Sequence, residues 1–242
     1  MTDAPVETVV FDVDGTLVDS ERDGHRVAFN RALAELGLPD HWDVGTYGEL
    51  LAIAGGARRL AHWFESRGRS AGEAQELAGR VHARKTALMA GMVAAGEVRA
   101  RPGAVALTDL LREHGTTIAV ATTGTRAWVE PLLDLAFGPR FEVVVTGTEV
   151  PELKPSPAAY VEALARLGCD PARAVAVEDS ENGLRAALAA GMRCVVVRND
   201  YTRDHDTAGA SLVVDALDAP ALVDWFRARL GLSRRGPGPV AP

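Results

Sequence analysis

The chain has 242 residues, 47% hydrophobic and 24% charged, with a formal net charge of −7. That is an ordinary globular composition, and its acidity argues against nucleic acid or anionic membranes as partners. The two cysteines, Cys169 and Cys194, offer neither a disulfide framework nor metal-ligand spacing, and no apolar stretch approaches the ~20 residues of a membrane span.

The N-terminus "MTDAPVETVV" lacks the basic start of a signal peptide. A cytoplasmic monomer acting on a small metabolite is therefore expected. The first element is "TVVFDVD" (8–14), an apolar run ending in Asp12 and Asp14. From residue 20 to 96 the pattern turns helical, through "GHRVAFNRALAELG", "YGELLAI", "ARRLAHWFESRG" and "EAQELAGRVHARKTALMAGMV". Phe29, Leu33 and Leu36 fall at helical spacing there, as do Leu77, Val81, Leu88 and Met92. A further helix, "PGAVALTDLLREHG", has Pro102 near its start and Gly115 at its end.

Strands and helices then alternate. "TIAVATT" (117–123) and "FEVVVTG" (141–147) read as strands, "PSPAAYVEALARLG" as a helix ending at Gly168, and "AVAVEDS" (174–180) as a strand. The helix "NGLRAALAAG", the strands "RCVVVRN" (193–199) and "SLVVD" (211–215), and the helix "DAPALVDWFRARLG" follow; Asp218 is a candidate N-cap and Gly231 a candidate C-cap. The strands are continuous apolar runs, as in a parallel sheet buried on both faces. The expected fold is a doubly wound, Rossmann-like α/β core with an inserted α-helical cap. The expected boundaries are 1–19 and 97–232 for the core, 20–96 for the cap, and 233–242 for a disordered Pro/Gly-rich tail. Two connections join cap to core, so rotation about hinges near Val18–Ser20 and Glu97–Arg101 is expected.

In an open parallel sheet, strand ends meet at one rim, where ligands bind. The first strand delivers Asp12 and Asp14 to it, the second Thr122 and Thr123, the loop after the third Lys154, and the fourth Glu178 and Asp179. Buried carboxylates so close together need protons or a cation to offset their repulsion. The donors are all hard oxygens, with no histidine or cysteine among them, which selects Mg²⁺ over zinc or copper. A carboxylate can also attack phosphorus to give an acyl phosphate. Lys154 and Thr122 would then hold the phosphate oxygens. Gly15 allows the chain a sharp turn past the site.

In this order "DVDGT", the Thr122 of "VATT", the Lys154 of "LKPSP" and "VEDSENG" resemble the four motifs of the haloacid-dehalogenase superfamily of phosphotransferases. The resemblance implies that Asp12 is the nucleophile and Asp14 the acid/base. It implies that Mg²⁺ is held by Asp12, the Asp14 carbonyl and Asp179, with Glu178 as an indirect ligand or a stabilising group. Two acids two residues apart on a strand would point to the same side. The cap sequences and "EDSENGLRAALAAG" are similar to the CbbY-type xylulose-1,5-bisphosphate phosphatases. That similarity implies substrate contacts at Asp19, His25, Gly55, Gly56, Arg59 and Lys85 in the cap, and at Thr123 and Arg126 in the core. Where that group has lysine after the double glycine, this chain has Ala57, followed by Arg58. A β-phosphoglucomutase shares the same pattern. A receiver-like signalling module shares the acidic cluster, threonine and lysine, but lacks the "DxDGT" pattern and a helical insert.

Overall fold

In the computed structural model, residues 5–53 and 55–232 are described, the side chain of Asp23 excepted. The expected disordered tail lies outside them. The chain divides into two compact units, one made of residues up to Val18 and from Ala100 onward, the other of Asp19–Arg99.

In the first unit, the described residues form six strands: β1 (Thr8–Phe11), β2 (Thr117–Ala121), β3 (Val143–Val145), β4 (Ala174–Glu178), β5 (Arg193–Val197) and β6 (Leu212–Val214). They make one parallel sheet in the order β3-β2-β1-β4-β5-β6. Every predicted strand is present, and the reason is burial. Val9, Val10, Phe11, Ala119 to Ala121, Val175 to Val177 and Val195 to Val197 are all fully enclosed. A strand covered on both faces has no polar face to alternate with.

The second unit holds α1 (Arg26–Glu35), α2 (Val44–Leu50), α3 (Gly56–Ser66) and α4 (Ala71–Ala94), preceded by a π-helical turn over Glu21–His25. Its centre is aromatic: Phe29, Trp42 and Tyr47 stack within about 6 Å of one another. The capping box of α4 is complete, with Ser70 and Glu73 exchanging hydrogen bonds.

In the first unit α5 (Ala104–Glu113), α6 (Arg126–Phe137), α7 (Ala158–Leu167), α8 (Glu181–Ala189) and α9 (Pro220–Arg229) flank the sheet. Two expectations need correction. The reading of the sequence had no helix between the second and third strands, yet α6 runs there, with Trp128, Val129, Leu132, Leu133 and Phe137 buried. Those positions have helical spacing, but Pro131 interrupts the segment and no side chain caps its start. Asp218 is not the N-cap of α9; Ala219 holds that position, and Pro220 begins the helix. No helix among the described residues is long and apolar enough to cross a membrane.

Candidate active site

Strand register builds the site. Phe11 lies opposite Val120 of β2 and Val177 of β4, so the three central strands leave the sheet at one level. Asp12 follows β1, Thr122 follows β2, Glu178 ends β4 and Asp179 follows it. The chain reverses its direction of winding on either side of β1, and at such a switch point the loops part and open a crevice.

Lys154 ties the carboxylates together. Its Nζ donates to Asp12 Oδ1 at 2.6 Å and to Glu178 Oε1 at 2.5 Å, and all three side chains are buried. The Tyr160 hydroxyl of α7 donates to the same Glu178 oxygen at 2.6 Å. One carboxylate oxygen each from Asp12, Glu178 and Asp179 lie within 4.8 Å of one another. A single lysine cannot neutralise three buried carboxylates. Burial pushes Asp12 up to about 8 against the charge of Lys154, and the charges of Glu178 and Asp14 add to the rise. Burial, with the charges of Asp12 and Glu178, drives Asp179 well above the usual carboxylate range. Burial alone would lower Lys154, but its two carboxylate partners hold it above its ordinary value. Surplus negative charge on hard oxygens suits a divalent cation such as Mg²⁺.

Thr122 is buried, its backbone N–H bonded to Val145 at 3.0 Å. Its hydroxyl accepts from the Gly124 N–H at 3.0 Å, which leaves its proton to donate elsewhere. Thr123, next along, is exposed.

Asp14 is placed by a turn rather than by strand alternation. β1 ends at Phe11, and the chain folds back so that Leu17 and Val18 donate to the Val13 carbonyl and Gly15 donates to Val18. The same-side argument for Asp12 and Asp14 therefore does not apply as stated. Asp14 is half-buried, close enough for its charge to raise Asp12. Gly15 has φ +80°, and a Cβ there would come within 2.3 Å of Asp179 Oδ2.

Arg126, expected to touch substrate, is instead gripped by the carboxylates of Glu130 and Glu149 and donates to the Val144 carbonyl at 2.9 Å. The structure does not bring it to the Asp12–Lys154 cluster. Glu149 is the hub of that neighbourhood. It receives Arg126, Arg166 at 3.0 Å, and the Thr146 N–H and hydroxyl at 2.9 and 2.8 Å, and so braces the loop leading from β3 to Lys154. Burial acts to raise the Glu149 pKa. The hydrogen bonds from Thr146, Arg126 and Arg166 outweigh it and set the value at about 2, against an ordinary 4.5. A depressed carboxylate contributes stability above its unfolded pKa, and that contribution is lost as pH falls through the folded value. Glu149→Gln is therefore expected to lower Tm at pH 7 by roughly 2–4 °C, equivalent to about 1 kcal/mol. The gap should close as pH falls from 4.5 toward 2, which thermal melts across that range check.

Within the helical unit, Lys85 and His25 are buried and paired, Nζ to Nδ1, at 2.9 Å, and Lys85 lies 5.0 Å from the centre of the Phe29 ring. Arg59 is buried too, donating to the Leu50 carbonyl at 2.9 Å, the Ile53 carbonyl at 3.4 Å and the Tyr47 hydroxyl at 3.2 Å. Its guanidinium staples the loop after α2, whereas the neighbouring Arg58 is exposed. Gly55 and Gly56 stand at the start of α3, and Asp19 opens the unit. His82 is held below the usual histidine range by burial, then by the charges of Lys85, His25 and Arg59.

Four residues escaped the sequence reading. Tyr160 buttresses Glu178. Gly183 at the start of α8 leaves room for it, since a Cβ there would fall within 2.2 Å of the Glu178 carboxylate oxygens. Asn199 and Arg101 converge on the Gly15 carbonyl. The strand-end rule, extended to the fifth strand, finds Asn199; the other three carry no local signal.

Comparison with known proteins matches residues 6–191 to the haloacid dehalogenase-like hydrolases. The CbbY protein of Cereibacter sphaeroides is 41% identical over 215 residues, covering 87% of this chain and 92% of that one. A phosphoglycolate phosphatase of Pseudomonas putida is 33% identical over 224 residues, covering 87% and 77%. The solved structure of CbbY from Rhodobacter sphaeroides in complex with phosphate superposes with a TM-score of 0.77 at 39% identity, covering 90% of this chain and 99% of that one. A mutant of that protein in complex with xylulose-(1,5)bisphosphate gives 0.76 at the same identity, covering 88% and 95%. A match of this extent, on a core with these motifs and a helical insert after β1, sets the receiver-like reading aside. The chain belongs to the haloacid dehalogenase-like hydrolases and is an enzyme of their phosphatase class, similar over most of its length to the CbbY proteins.

Proposed function

We propose that this phosphatase removes one phosphate from a small sugar bisphosphate, xylulose 1,5-bisphosphate first among them, through a phosphorylated Asp12. The observation that carries the reading is the buried Asp12–Lys154–Glu178–Asp179 cluster at the switch point of the sheet. Asp12 attacks phosphorus, the bond to the sugar oxygen breaks, and Asp14 gives that oxygen its proton. Asp14 then takes a proton from water as the water attacks the acyl phosphate, which frees Asp12 and returns Asp14 to its acid form. Lys154 and the Thr122 hydroxyl hold the phosphoryl oxygens as charge spreads over them. Glu178, held by Tyr160, keeps Lys154 in place. Asp12, Asp179 and the Asp14 carbonyl would hold Mg²⁺, with Glu178 close by. When bound, the ion neutralises the clustered carboxylates and the phosphate, so that an anionic nucleophile can approach an anionic substrate.

The choice of a bisphosphate is supported by the buried lysine of the helical unit, Lys85, on an otherwise acidic protein, and by the bisphosphate bound in the related CbbY structure. The test is phosphate release from xylulose 1,5-bisphosphate and from the matching monophosphate, with Mg²⁺ and with excess chelator. Release is expected only with the metal, with higher kcat/KM for the bisphosphate. Ala57→Lys, which adds a cation beside the double glycine, should widen that preference. Full activity in chelator, or equal kcat/KM for the two substrates, would overturn the reading. An isomeric sugar phosphate formed without phosphate release would make the enzyme a mutase.

A further inference from the structure

The loop after β5 carries a group that the mechanism above does not use. Asn199 Nδ2 lies 2.7 Å from Asp179 Oδ2 and 3.2 Å from the Gly15 carbonyl oxygen, while Oδ1 accepts from the Tyr201 N–H at 2.9 Å. The last contact fixes the orientation of the amide. A backbone N–H can only donate, so the amide oxygen faces Tyr201 and the NH₂ faces the two oxygens. The Gly15 carbonyl also receives the guanidinium of Arg101, which bonds the carbonyls of Val197 and Arg198 at 3.3 and 3.0 Å as well. The turn that bears Asp14 is thus tied to the end of β5 by two side chains meeting on one backbone oxygen. The fit is close: a Cβ on Gly15 would lie 2.3 Å from Asp179 Oδ2 and 2.7 Å from Asn199 Nδ2.

We propose that Asn199 is a positioning residue for the reaction. It orients Asp179 as a cation ligand and locks that carboxylate to the turn carrying Asp14, and Arg101 secures the same turn. Asp179 sits among buried carboxylates that repel it, and a lone carboxylate turns about its last bond to relieve repulsion. A donor on Oδ2 stops that rotation. A neutral amide does so without bringing in a positive charge that would compete with the cation. The shared NH₂ also couples the two halves of the mechanism, because movement of Asp179 pulls on the carbonyl next to Asp14.

The inference rests on the cation site proposed above, and the experiment separates the two. Mg²⁺ binding is measured by calorimetry on the substrate-free protein for wild type, Asn199→Leu and Thr202→Val. Asn199→Leu is nearly isosteric and removes the donor. Thr202→Val breaks the bond from the Asn199 N–H to the Thr202 hydroxyl, 3.0 Å long in the same loop, but keeps the amide. Asn199→Leu is expected to weaken Mg²⁺ binding by about 10–100-fold, the usual effect of losing an outer partner of a metal ligand. It should also lower kcat at saturating Mg²⁺, because the Asp14 turn is loosened. Thr202→Val should bind Mg²⁺ like wild type. If Asn199→Leu fails to fold, Asn199→Ala carries the same expectation. Unchanged Mg²⁺ affinity in the Asn199 variant overturns the proposal, as does equal weakening in both variants, which would mean that only loop stability matters. A wild type that binds no Mg²⁺ sinks the cation site itself.

Discussion

Asp12→Asn is expected to reduce turnover by on the order of 10⁴-fold or more, the scale seen when a nucleophile is removed from an otherwise intact site. The side chains are nearly isosteric, and the amide oxygen can still accept from Lys154, so the loss should be chemical rather than architectural. An amide cannot form the acyl phosphate, so acid quenching during turnover should trap phosphorylated protein from wild type and none from the variant. Stability should move the other way. In metal-free wild type the folded-state pKa of Asp12 is raised from 3.8 to about 8. Such a group makes the folded state progressively less stable as pH rises from the unfolded value to the folded one. Asn carries no such cost, so in chelator the variant should melt higher than wild type, and the gap should widen between pH 4 and pH 8. Substantial turnover in Asp12→Asn, or a variant that melts lower throughout, would refute this account of the residue.

Lys154→Met should damage both fold and function. The lysine is the only cation bonded to Asp12 and Glu178 among the described contacts, and all three side chains are buried. Removing one partner of a buried ion pair leaves its counter-charges uncompensated, at a cost of about 3–5 kcal/mol. For a chain of this length that corresponds to a fall in Tm of roughly 10 °C. Turnover should drop by at least about 10²–10³-fold if, as proposed, this charge meets the phosphoryl oxygens. Saturating Mg²⁺ should raise the Tm of the variant more than that of wild type, since the ion then supplies charge that the lysine supplied before. Equal stabilisation of the two proteins would mean that Lys154 and the cation do not share the same carboxylates.

The amino-acid order by itself determined the layered core and most of the polar groups gathered at the sheet edge. Continuous apolar runs exposed all six strands, most clearly the four central ones, where burial on both faces leaves no other pattern open. The pairs Asp12–Asp14 and Glu178–Asp179, with Thr122 and Lys154, were legible because each sits at a strand end or in the loop that follows one, where a parallel sheet presents ligands. Other features needed the fold. Nothing local in "DVDGT" says that β1 stops at Phe11 and that a turn, not the strand, carries Asp14. The tie from Lys154 to Asp12 spans 142 residues, and it exists because the sheet order β3-β2-β1 brings the loop after β3 to the edge where β1 ends. In the sequence, Arg59 and Arg126 are assigned as substrate contacts by resemblance alone. The fold gave one to the carbonyls of the α2 loop and the other to Glu130 and Glu149. Gly183 and Asn199 matter through what lies opposite them, a carboxylate filling the space of a missing Cβ and an amide shared between two oxygens. Periodicity and capping are properties of neighbours along the chain, so a sequence displays them. Which charges are matched, and which cluster is left needing a cation, depends on distances across the sheet that tertiary packing alone sets.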